Sequence, residues 1–255
     1  PAGPALAVFL LASAIGMFVL FRRLPGEKTS ASALPQDFSA NTPRLLVLPV
    51  MGVLLIAAAG LADLYEGFGL GNLIGQFLAA AGPDHIAVST AVTSALGLSP
   101  TAQKLLGVLS LGSAAALFPT ISACRRGGAF QGASLLLIPP VALVIRLVAA
   151  YRLDSVNPAL SAYYVELLAL VFLTLGFYRL SSFAFHAGQL RLYAFYTGAA
   201  VVLSMAALAD GGPYLSSLLL YAGGASVLMG FLLLRLASPV PSTRQEEPPD
   251  LTSQS

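Results

Sequence analysis

Residues 129–180 read AFQGASLLLIPPVALVIRLVAAYRLDSVNPALSAYYVELLALVFLTLGFYRL. Two apolar runs flank a short polar turn, Arg152 to Pro158. A helix rises 1.5 Å per residue and a bilayer's hydrocarbon is about 30 Å thick, so each run has the length of a membrane span. Each run carries one charge where hydrocarbon is expected: Arg146 on the first, Glu166 on the second. Arg146 falls roughly 7–8 Å below the end of its helix at Tyr151, and Glu166 roughly 12 Å along the next helix from Pro158. The short connection makes the two helices antiparallel neighbours and puts the two charges at comparable depth. Ala142, Ala149 and Ala150 share the face of Arg146, and Ala162, Tyr163 and Ala169 that of Glu166. Small residues belong at helix contacts rather than against lipid. The expectation is an ion pair between Arg146 and Glu166, or one wet polar cavity holding both.

The rest of the chain agrees with a bilayer setting. Of 255 residues, 57% are hydrophobic and 9% charged, whereas a soluble domain carries about 25% charged residues. The pattern predicts an all-α polytopic membrane protein with seven transmembrane helices, at about 5–21, 45–62, 100–124, 130–151, 158–179, 192–209 and 214–236. These form one membrane domain, 1–236. Arg22 and Arg23 follow the first apolar run, where a cleaved signal peptide would have its charge ahead of it, so that run reads as an uncleaved anchor. Residues 24–43 read as a loose polar linker. In 67–99 the apolar pieces are too short to span and are broken by glycines, which predicts a short helical cap on the outer face, with a re-entrant hairpin as the alternative. The tail, 237–255, has four prolines and almost no apolar residues and reads as disordered.

Charge sets the expected orientation. With the N-terminus outside, Arg22, Arg23, Lys28, Arg44, Arg125, Arg126, Arg179, Arg191, Arg235 and Arg244 are cytoplasmic, while Lys104, Arg146 and Arg152 are not. That bias predicts a multi-pass protein of the cell membrane with an outer N-terminus and a cytoplasmic C-terminus. Spans one to three and five to seven then run in the same order, which permits a parallel three-plus-one-plus-three repeat. Ala59-Gly60-Leu61-Ala62-Asp63 and Ala206-Ala207-Leu208-Ala209-Asp210 close spans two and six alike. Apolar helices that each end in an interfacial Asp explain the likeness equally well. Pro139-Pro140 near the middle of span four should bend it, freeing carbonyls near Leu135 and Leu136.

Motifs for chemistry are few. The candidate ligand-binding set is Arg146, Glu166 and Tyr163, joined by Asp63, Glu66 and Asp210 from the outer helix ends. The same residues also suit a buried pair that only fixes helix packing. Asp84-His85 suits a surface turn as well as an acid–base pair, and no nucleophile stands beside it. His186 reads as a loop histidine, and Cys124 beside Arg125 as a packing cysteine. Ligand spacing for a metal is missing, so neither metal nor cofactor is expected. The seventh span has no lysine to hold retinal. A net charge of +2 gives no footprint for nucleic acid. Ala222, Ser226 and Gly230, and Ala12 and Gly16, are small residues at four-residue spacing that suit helix contacts, within the bundle or with a membrane-protein partner or second copy.

Two functions from different classes follow, neither of them an enzyme. One is a transporter or permease-like protein moving a small polar or anionic solute through an outer-side pocket at Arg146. The other is a non-catalytic membrane sensor or a subunit that docks a partner. Depth of the cavity separates them: a carrier needs a polar cavity at the midplane beside broken helices, a docking module a packed midplane.

Overall fold

The computed structural model describes residues 43–70, 100–126, 132–154, 160–185, 187–209 and 215–237, together with Ile15, Gly16, Val19, Arg22 and Phe38. The described residues are all-helical, and six of the helices are long and apolar enough to cross a membrane. We number them α1 (Val47–Gly67), α2 (Pro100–Arg126), α3 (Ile138–Asp154), α4 (Leu160–Ala184), α5 (Leu190–Ala209) and α6 (Leu215–Ala237). The first expected span, about 5–21, lies outside the described residues except for three helical positions, and Arg22 beyond it is helical as well. So do 71–99 of the expected cap, Asp84, His85, His186, Asp210 and the tail from 238.

Each helix packs on the next in sequence, and α6 closes back on α1, so the six make a ring. Glycines set how tightly it closes. A Cβ on Gly52 of α1 would stand 2.7 Å from the Gly223 carbonyl of α6, and one on Gly223 would stand 2.8 Å from the Gly52 carbonyl. Gly60 of α1 and Gly107 of α2 meet in the same way, at 2.9 and 2.8 Å. Without an oil–water driving force between helices in lipid, such close approach supplies the dispersion contacts that hold them. The stripe of α6 that meets α1 therefore includes Gly223, Val227 and Gly230, with Gly230 against Pro49. It includes Gly230 of the expected small-residue stripe, while Ala222 and Ser226 are only half-buried to its side. Gly16 faces open space.

Element ends differ from the sequence reading in instructive places. α1 runs one turn past Ala62 and stops where Gly69 takes φ +65°, a left-handed conformation natural to glycine. The extra turn carries Asp63 into the helix and buries it. Span four is not an α-helix with a proline kink at its centre. Residues Ala133–Leu137 form a 3-10 turn, and α3 starts only at Ile138. Pro139 and Pro140 thus occupy the first turn of α3, where an N–H would have no intrahelical acceptor anyway. The Leu135 carbonyl, expected to be orphaned, accepts from the Ile138 N–H. Pro119 lies inside α2, which continues through it from Pro100 to Arg126.

Within 24–43 the described residues include Phe38. Phe38 is fully buried, edge-on to Phe183, Tyr193 and Phe231 with ring centroids 5.3, 6.4 and 5.9 Å away. The Tyr193 hydroxyl, also buried there, donates to the Leu228 carbonyl at 3.1 Å. This aromatic plug closes the end of the ring where Arg44, Arg125, Arg179, Arg191 and Arg235 gather.

Candidate functional site

The described carboxylates all stand at the opposite end: Asp63 and Glu66 late in α1, Asp154 at the close of α3, Glu166 early in α4. Arg146 reaches this end from α3 and is 6% exposed. Its Nη1 donates to Asp63 Oδ2 at 2.6 Å, an ion pair whose side chains are 7% and 2% exposed. Its Nη2 donates to Ser216 Oγ at 3.2 Å and to Ser217 Oγ at 3.4 Å. One guanidinium therefore ties α3 to both α1 and α6. Its planar fork of donors allows two directions to be served at once.

The ion pair expected between Arg146 and Glu166 is not what forms. α3 and α4 are neighbours, as their short connection demands. The pairing face of α3, however, looks across the ring to α1 and α6. Glu166 accepts instead from the Tyr221 hydroxyl of α6, at 3.1 Å, and is only half-buried. Asp63 is almost fully buried, so leaving it unpaired would cost several kcal/mol, whereas Glu166 keeps partial access to its surroundings. Arg146 therefore goes to the carboxylate that needs it more.

Of the other candidate residues, Glu66 sits one turn beyond Asp63 and its Oε2 accepts from Gln103 Nε2 of α2 at 3.5 Å. Lys104 beside it lies over the Phe68 ring, 4.5 Å from the centroid. Tyr163 is helical in α4, with its side chain outside what is described, and Asp210 lies outside the described residues. Sequence reasoning passed over Gln103, Ser216, Ser217 and Tyr221. A signal was available: each is a polar residue in the first turns of an apolar span, at the end where the carboxylates lie.

A cavity of about 20 Å³ lies between Arg146 and the bundle centre. It has room for about one water. Ser110, Ser113, Pro139, Ala142, Phe177 and Leu220 are among its lining residues. The Ser113 hydroxyl turns back to the Leu109 carbonyl at 2.8 Å, which leaves the wall largely apolar. Past this space, Gly224 meets Leu173 and Gly176 meets Leu228 in direct contact.

Chemically, the arrangement is a compensated ion pair with two hydroxyl acceptors. Among the described residues no three of His, Cys, Asp and Glu come together as a metal site. Comparison adds no relative: no protein-family model, curated protein or solved structure matches the chain.

Proposed function

We propose that this chain is a seven-span protein of the cell membrane that works as a non-catalytic sensing or docking module. The observation that carries the reading is the compensated state of Arg146 among the described residues. Arg146 commits both terminal nitrogens to Asp63, Ser216 and Ser217, and among the described residues a water-sized cavity lies between this lock and packed apolar side chains. The lock then acts as an architectural clasp. The contacts that matter to a partner lie on the 67–99 cap and the loops.

The topology proposed with it adds the 5–21 span to the six apolar helices. It places the carboxylate end outside and the arginine end in the cytoplasm, following the excess of Lys and Arg there. Under the same reading α1 and α2 belong to the first half of a parallel repeat, α4 to α6 form the second, and α3 links them. A cysteine placed at Ser242 should react with membrane-impermeant reagents only after the cytoplasmic side is opened. Labelling in intact cells would overturn this topology.

A second reading, a permease for a small polar or anionic solute caught closed, has its own support. Pro139, at the junction of 3-10 turn and α-helix, lines the cavity together with Ser110, Ser113 and Arg146. A photocrosslinking residue at Phe68, which is exposed and lies at the start of the 67–99 segment, separates the two. A discrete adduct in native membranes is expected of a docking module. No adduct at Phe68 or at cap positions, combined with a polar solute that raises the melting temperature of the purified protein, would replace the first reading by the second.

A further inference from the structure

On the outer surface of the ring, at its arginine end, α1 and α2 part into a lateral groove of about 420 Å³. Leu46, Val47, Val50 and Met51 form one wall, and Phe118, Ile121, Ser122 and Arg125 the other. Its lips are exposed apolar side chains: Val47 is 60% exposed, Met51 51% and Phe118 61%. The one hydroxyl on the walls is already used, since Ser122 Oγ donates to the Phe118 carbonyl at 3.0 Å. The groove therefore offers nothing polar along its length.

Its end is different. Arg125 lines the groove there and is exposed. Arg44 is exposed on the 3-10 turn Pro43–Leu46, which leads into the groove wall and touches α2. Neither arginine has an ion pair among the described residues, and every described carboxylate stands at the far end of the bundle. An apolar trough that opens sideways to hydrocarbon and ends at Arg125, with Arg44 exposed on the adjoining turn and neither ion-paired among the described residues, matches a molecule with the same two parts. The acyl chain lies along Val50, Met51 and Phe118, and a phosphate at interfacial depth meets Arg125 and Arg44. Guanidinium groups hold phosphate through paired N–H donors.

We infer that this groove is a binding site for one anionic glycerophospholipid, with its phosphate on Arg44 and Arg125 and an acyl chain between α1 and α2. The site does not depend on which membrane face the arginine end occupies, nor on the function proposed above. Both components are required: a free anion lacks the chain, and a zwitterionic lipid cancels the phosphate charge with its own cation.

The test is a thermal-stability titration of the delipidated, full-length protein in detergent, with bound lipid counted by native mass spectrometry. Phosphatidylglycerol should bind and raise the melting temperature more than phosphatidylcholine of identical chains, and inorganic phosphate should do neither. Arg44→Gln and Arg125→Gln lie at exposed positions and leave the core alone. Each should lower phosphatidylglycerol affinity about fivefold, the equivalent of about 1 kcal/mol per basic residue at a membrane surface. Met51→Trp, which fills the trough from its exposed lip, should lose the lipid with both arginines intact. Equal binding of the two lipids, a full response to inorganic phosphate, or unchanged phosphatidylglycerol affinity in the double arginine variant would each overturn the site.

Discussion

The clasp at Arg146 makes a quantitative prediction. Arg146→Ala leaves Asp63, whose side chain is 2% exposed in the intact pair, without its cation. Removing one partner of a buried pair costs about 3–5 kcal/mol, because the survivor is a stranded charge. Asp63→Ala strands the guanidinium, which keeps only the Ser216 and Ser217 hydroxyls, and should cost a similar amount. The double variant strands neither charge. If it costs no more than the worse single change, the coupling is at least as large as the lesser one, about 3 kcal/mol or more, at or above the top of the range for residues in direct contact. Reversible unfolding in mixed micelles, followed by helical circular dichroism, reads all four corners of the cycle. Glu166 supplies the internal control. It bonds to Tyr221 rather than to Arg146, so the Arg146→Ala and Glu166→Ala cycle should be additive to within about 0.5 kcal/mol. Additivity between Arg146 and Asp63, or equal coupling to Glu166, would refute the assignment of the ion pair.

Two further outcomes test the packing. Gly52→Ala drives a Cβ to 2.7 Å from the Gly223 carbonyl, backbone that has no side-chain freedom to yield, so α1 and α6 must separate; a loss of about 1–3 kcal/mol is expected in the same unfolding assay, and a neutral result would show that the helices can part at no cost. Phe38→Ala empties the centre of the aromatic plug and should cost about 3–5 kcal/mol, whereas a change below about 0.5 kcal/mol would mean that Phe38 is not held among Phe183, Tyr193 and Phe231.

Which features could be read from sequence follows from the range of the forces involved. Span existence depends on the summed apolar character of about 20 consecutive residues, a local quantity, and all six described spans lie where the hydropathy puts them. Helix ends were less legible. The end of α1 is displaced because Asp63 looks like an interfacial stop until a cation buried opposite it is known. The proline pair looked like a mid-span kink because the first part of span four is equally apolar in α and 3-10 geometry; only the backbone bonding distinguishes them. Phe38 was invisible for the opposite reason: one aromatic in a polar linker carries no period, and its burial is set by three rings contributed by α4, α5 and α6.

The site illustrates the limit most directly. Arg146 was identifiable as a charge that a bilayer protein must compensate, and its depth along the helix matched that of Glu166, while Asp63 read as a residue of the outer helix end. Depth is a one-dimensional coordinate along the helix axis, and it leaves the pairing undetermined. Sequence adjacency suggested α4 as the partner of α3. In a closed ring, though, a long side chain on the inner face can reach helices other than its sequence neighbours, so elements far apart in sequence compete with adjacent ones. Burial then decides among carboxylates at equal depth, since the desolvation penalty falls hardest on the one with least access to water. Asp63, on the helix pressed by glycine contacts against both α2 and α6, is that carboxylate. The glycines that bring α1 into close packing are thus part of the reason Arg146 turns toward it, and a change at Gly52 or Gly60 should be felt at the ion pair as well as at the helix contact.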